Sequence, residues 1–118
     1  MTSDLKKLDD ELNNMIAAGK LLEAVEKFYA ADVSMQENTE PAMVGKAENT
    51  VRERGFVGAL DLSETRFEHG AQAIGDGVTM NEWVLRMKFK NGPAMEQAQV
   101  SVRRWRGDKV ASERFYHK

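Results

Sequence analysis

Residues 78–90 read Val-Thr-Met-Asn-Glu-Trp-Val-Leu-Arg-Met-Lys-Phe-Lys, and this stretch decides the fold class. Trp83, Leu85, Met87 and Phe89 take every second position, with Glu82, Arg86, Lys88 and Lys90 on the alternate ones. Successive side chains of a β-strand point to opposite faces, so a period of two predicts a strand with one buried and one wet face. Such a face pattern is that of an antiparallel sheet covered on one side. Working outward, the strand is bracketed by Gly75-Asp76-Gly77 and Asn91-Gly92, and Arg106-Gly107-Asp108 follows further on. Each is turn chemistry, suited to the positive φ of a tight hairpin. From Asp61 onward the chain therefore reads as four strands in an antiparallel meander.

Upstream the period changes. Between Asp4 and Ala18, Leu5, Leu8, Leu12, Met15 and Ile16 recur at steps of three and four, the stripe of an amphipathic helix. Ser3 or Asp4 can cap its start and Gly19 can end it. Leu21, Leu22, Val25, Phe28 and Tyr29 keep helical spacing up to Ala31, which predicts a second helix in a hairpin with the first. Val33 to Asn38 alternates again and places Val33, Met35 and Glu37 on one strand face. Thr39 to Ala42 contains Pro41 and reads as a loop, and Gly45 to Arg54 reads as a third helix with Ala47 and Val51 inward, loosened beyond by Gly55 and Gly58. The expected architecture is one α+β domain over residues 1–118, with three helices packed on a strongly curved antiparallel sheet in the order α-α-β-α-β-β-β-β.

Composition narrows the functional classes. A chain of 118 residues suits one domain. Without cysteine there is no disulfide framework and no thiolate metal site, which fits a reducing compartment. Lys and Arg number 17 against 19 Asp and Glu, interleaved along the chain, so no global field draws the protein to nucleic acid or anionic lipid. Arg103-Arg104-Trp105-Arg106 would alternate between strand faces rather than form a basic surface, and Arg106-Gly107-Asp108 is explained by its turn. No apolar run suggests a signal peptide or a membrane span. The expectation is a cytoplasmic protein with no nucleic-acid or membrane partner. Two histidines without ligand-like spacing give no basis for a metal, and no cofactor is expected.

The element order, together with Phe28-Tyr29-Ala30-Ala31-Asp32-Val33, Val44-Gly45-Lys46 and Arg104-Trp105-Arg106-Gly107-Asp108-Lys109-Val110, resembles the SnoaL-like branch of the nuclear-transport-factor-two-like superfamily. The resemblance covers nearly all of the chain and implies a cone-shaped barrel with one open end, a small-molecule cavity, and a homodimer through the outer sheet face. Ketosteroid isomerase, within that superfamily, carries a catalytic aspartate eight residues after the aromatic that closes its second helix. Counting eight from Tyr29 reaches Glu37, which alternation had already put beside Val33 and Met35. The isomerase's helix-one tyrosine and penultimate-strand aspartic acid have no counterpart here: Met15 and Ile16 stand on the helix, and Ser101 with Gln99 and Gln97 on the strand.

With the odd-numbered positions of the late strands turned inward, Glu37, Gln97, Gln99, Ser101, Glu113 and His117 form the polar lining, amid Met15, Phe28, Met35, Trp83, Leu85 and Phe115. Glu37 is the candidate catalytic base for isomerase-, cyclase- or dehydratase-type proton transfer, and His117 a second acid–base candidate. Burial is expected to raise the pKa of Glu37. Equally open are a Glu37 that merely orients a loop, an idle terminal His117, and a protein that binds a small apolar or partly polar organic ligand, or another copy of itself, without catalysis. His69 shares the cavity only if its strand keeps the same phase.

Overall fold

The structure is a computed structural model that describes residues 2–118, with side chains described from Asp4 onward. Its elements are α1 (Thr2–Ala17), α2 (Leu21–Phe28), β1 (Tyr29–Glu37), β2 (Met43–Val44), α3 (Lys46–Ala59), a single 3-10 turn (Leu62–Glu64), β3 (Arg66–Ile74), β4 (Val78–Lys88), β5 (Ala94–Arg106) and β6 (Lys109–His117). Strands β3 to β6 form the expected antiparallel meander. Gly77 (φ 71) and Gly107 (φ 64) take the left-handed conformation that these turns demand of a residue without a Cβ.

The sheet differs from the expected one in the two pairings of β1. Its order is β2-β1-β6-β5-β4-β3, and β1 runs parallel to β6, so the curved, open sheet is mixed rather than wholly antiparallel. Tyr29 at the start of β1 lies opposite Val110 at the start of β6, because α2 delivers the chain to the same end of the sheet as the β5–β6 turn. The two-residue β2, between the expected loop (Thr39 to Ala42) and the expected third helix, edges β1 through Ser34 and Met35.

The helices also bring corrections. α2 stops at Phe28, and Tyr29 is extended (φ −95, ψ 136), so Tyr29 to Ala31 belong to the strand. A register shift between Tyr29 and Ser34 lets adjacent Tyr29 and Ala30 both be buried. α1 already begins at Thr2, which puts Asp4 inside the first turn, and the Ser3 side chain lies outside the described residues. Gly19 does end the helix region with φ 81.

α3 continues through Gly55 and Gly58, and its inner face is polar. Asn49 is fully buried, whereas Ala47 is exposed and Val51 is 65% exposed, the reverse of the expected phase. Asn49 decides the rotation of the helix: its Nδ2 donates to the carbonyls of Met43 (3.0 Å) and Gly45 (2.9 Å), tying the helix start to β2. The inward positions then run Asn49, Glu53, Phe56, at steps of four and three.

Two apolar clusters hold the layers together. One joins α1 and α2 to β1 and β6 through Leu12, Val25, Phe28, Val33, Met35 and Val110; the other gathers Leu60, Phe67, Trp83 and Met87 beneath the far half of the sheet. Each large side chain removed from water contributes about 1.5–3 kcal/mol.

Candidate ligand-binding site

A cavity of about 480 Å³ lies between the inner faces of β4, β5 and β6, the end of β1, and the covering helices. Phe56, Phe67, Trp83, Leu85, Met87 and Phe89 make its apolar walls. Met35, Glu37, Gln97, Gln99, Ser101, Glu113, Phe115 and His117 line it as well, so the odd-numbered positions of β5 and β6 do turn inward. Met15 and Phe28 do not line it. Both pack in the helix–sheet core, where Phe28 meets the edge of Trp105 at 6.4 Å, because α2 places that face against β1 and β6. His69 also stays outside, its Nε2 2.7 Å from Asn81 Oδ1 and its ring 4.9 Å from that of Trp83.

The inner end is a polar network that spacing alone did not reveal. Arg103, 1% exposed, donates from Nε to Glu113 Oε2 (2.9 Å) and from Nη1 to Asp9 Oδ1 (2.7 Å) and Asn13 Oδ1 (2.7 Å). The Tyr29 hydroxyl donates to Glu113 Oε1. Asp9, itself fully buried, also accepts from Thr79 Oγ1 (2.7 Å), Gln72 Nε2 (2.8 Å) and Asn81 Nδ2 (2.9 Å). Burial opposes ionisation of Asp9, but the Arg103 charge and these donors outweigh it and hold its pKa below the usual carboxylate range. Burial and the adjacent Glu113 charge push the Tyr29 phenol well above its ordinary value. At neutral pH it therefore stays a donor.

The outer end carries the pair singled out from the sequence. His117 Nε2 lies 2.7 Å from Glu37 Oε2, with the two side chains 19% and 42% exposed. Burial works against a charged His117, yet the hydrogen bond to Glu37, the Lys118 carbonyl and the charges of Glu37 and Glu40 together outweigh it and raise the imidazole pKa. Asn38, at φ 50, accepts the His117 backbone N–H through Oδ1 (2.9 Å) and so ties the end of β6 to the turn after β1. The enclosure expected around Glu37 is found elsewhere. Glu53 on α3 lines the cavity with its side chain 16% exposed, and its nearest cation is Arg52 Nη2 at 3.6 Å. Burial pushes Glu53 up to about 7, with Arg52 pulling down and Glu113 and Glu37 pushing further up.

Asp9, Asn13, Tyr29, Glu53 and Arg103 are thus the site groups that the sequence reading passed over. A signal existed for some of them: Asp9 and Asn13 fall on the same helical stripe as Leu5, Leu12 and Ile16, and Arg103 continues the inward series Gln97, Gln99, Ser101. Among the described residues no three His, Asp or Glu side chains gather at metal-ligating geometry, and no helix is long and apolar enough to cross a membrane.

No protein-family model matches this sequence, and no curated protein matches it either. Solved structures do. An NTF2-like protein of unknown function from Burkholderia pseudomallei superposes with a TM-score of 0.80 at 14% identity, covering 96% of this chain and 89% of its own. A SnoaL-like polyketide cyclase candidate from Mesorhizobium loti gives 0.69 at 17%, covering 95% and 97%. The fold is that of the SnoaL-like and NTF2-like proteins. An LEH-like epoxide hydrolase of M. tuberculosis shares it, with a TM-score of 0.81 at 9% identity over 99% of this chain and 84% of its own. At such identities the common property of NTF2-like chains is the cup, and chemistry has to be read from each one's lining.

Proposed function

We propose that this chain is a cytoplasmic, cofactor-free binder of a mainly apolar organic ligand, and that Glu37 exchanges a proton with that ligand in an isomerase-, cyclase- or dehydratase-type step. The observation that carries this reading is the carboxylate–imidazole pair at the mouth of an aromatic-walled cavity. His117 orients the carboxylate, and Glu37 in turn favours the imidazolium, so the pair offers both an acceptor and a donor of protons. The SnoaL-like cyclase candidate and the LEH-like epoxide hydrolase among the neighbours support chemistry on this scaffold.

The test uses the ligand that copurifies, identified by native mass spectrometry, and follows deuterium entry into it from solvent by NMR. Glu37→Gln keeps volume and hydrogen bonding and removes the base. Loss of exchange with affinity unchanged within about threefold supports the catalytic reading. Exchange that persists in the variant leaves a noncatalytic binder.

A second reading is a dimeric interaction module, favoured by the outer sheet face. There Met80 and Tyr116 are 45% and 42% exposed, beside half-buried Val84, Val100 and Val102. We expect a homodimer through this face. Light scattering after size exclusion should give twice the chain mass, with Val100→Glu shifting it to monomer; a monomeric wild type at tens of micromolar would refute the interface.

A further inference from the structure

We infer that the cavity selects an amine, a ligand that carries a protonated nitrogen on a ring-bearing apolar body, with Glu53 as its counter-ion. The inference rests on the pocket reading above and names the class of ligand.

Charge is the first argument. Glu37, Glu40, Glu53 and Glu113 line the cavity against two guanidinium groups, Arg52 and Arg103, and the His117 imidazole, which is paired with Glu37. Arg103 is committed to Asp9 and Glu113 at 2.7 and 2.9 Å, and those two carboxylates already exceed its single charge. An anionic ligand would thus enter a low-dielectric space that already holds excess negative charge, which is costly, whereas a cation relieves it.

Glu53 is the second. Among the described residues its one cationic partner is Arg52, whose Nη2 stands 3.6 Å away, longer than an ordinary hydrogen bond, so the Arg52 donor holds the carboxyl only weakly. A mostly enclosed carboxyl, 16% exposed, with one distant cation and no close donor is left to water or to a ligand. Burial has raised its pKa to about 7, so a bound ammonium would restore the charge that burial suppresses. Independently, Ser101 Oγ is fully enclosed, lines the same cavity and has no partner. It is a ready acceptor for an N–H.

The walls supply the rest. Tyr29, Phe56, Phe67, Trp83, Phe89 and Phe115 surround the space with ring surface, and aromatic faces attract cations while burying apolar bodies.

Titration calorimetry with three matched probes tests this: 2-phenylethylamine, 2-phenylethanol and phenylacetate, each against the intact protein at pH 8 and pH 6. The amine should bind about tenfold tighter than the alcohol at pH 8, and phenylacetate more weakly than both. Glu53→Gln should bring the amine down to the alcohol while leaving the alcohol within about twofold, and Glu53→Asp should retain most of the preference. At pH 6 the preference should shrink. Glu53 is then largely protonated, facing Arg52 from its own helix, Tyr29 and Glu37 from β1, Arg103 from β5 and Glu113 and His117 from β6, with His117 more positive. The amine itself stays charged throughout. Phenylacetate binding as tightly as the amine, or an amine preference that survives Glu53→Gln, overturns the inference while the pocket reading stands. Failure of all three probes, the neutral alcohol included, overturns both.

Discussion

Asp9 and Glu53 are both carboxylates carried inward on helices, and the fold shifts their pKa values in opposite directions. Asp9 meets a guanidinium, a hydroxyl and two side-chain amide groups within 2.9 Å. Among the described residues Glu53 has one cationic partner, Arg52, at 3.6 Å. Burial penalises the charged form in both, so the difference lies in the donors supplied. A buried carboxylate whose oxygens are all engaged is part of the frame, and one left without a close donor in a cavity is open to a ligand. The α1 side of the cone is thus built to stay as it is. The α3 side is built to receive something.

The largest effect should come from breaking the frame. Arg103→Met leaves Asp9 and Glu113 buried without their shared cation, and removing one partner of a buried ionic group typically costs about 3–5 kcal/mol. Urea unfolding at pH 7 measures it. A cost below about 1 kcal/mol would mean that water or relaxation replaces the guanidinium, and the contrast between the two sides would collapse. The same network predicts the acid limb. Asp9 has a depressed folded pKa, so its contribution is present above its unfolded pKa and is lost as pH falls through the folded one.

How much of this was legible in the sequence follows the range of the interactions. The meander was legible because alternation and turn chemistry are local: Trp83 and Leu85 declare a face, and Gly77 and Gly107 declare the reversals. The inward phase of Gln97, Gln99 and Ser101 follows from that alternation, and with it much of the cavity lining. The parallel pairing of β1 with β6 was not legible, since no local feature of residues 29–37 says which distant strand they join. α3 failed for a different reason. Its inner face is Asn49 and Glu53, and a reading that turns Ala and Val inward rotates such a helix the wrong way. Asp9 and Arg103 lie far apart in the chain, and each alone looks like a surface charge. Only the fold brings them to 2.7 Å.

Glu53 offers the next sharpening of the comparison. Its folded pKa, about 7, lies above the ordinary 4.5, so the native state holds a proton that the unfolded state releases between those values. Stability should therefore fall as pH rises from about 5 to 8, by up to about 2–3 kcal/mol. Glu53→Gln should flatten that slope and melt higher than wild type at pH 8, with little difference at pH 5. Thermal melts across this range decide it. A variant less stable than wild type at pH 8 would mean that Glu53 has a structural partner and belongs to the frame after all.

The smallest effect is expected at the mouth, where Glu37 and His117 are partly solvated. The folded His117 pKa is raised, so the pair's contribution is fully present below the unfolded value near 6.5 and disappears as pH rises through the folded one. A pair this exposed contributes at most about 1 kcal/mol even when charged. His117→Gln should consequently shift urea midpoints slightly at pH 5.5 and not at all at pH 9. A conserved fold with altered ligand binding in that variant would place the pair with Glu53 on the receiving side of the cone. A loss of stability comparable to that of Arg103→Met would instead make Glu37 and His117 a clasp that closes β1 onto β6, and the candidate base would become a structural tie.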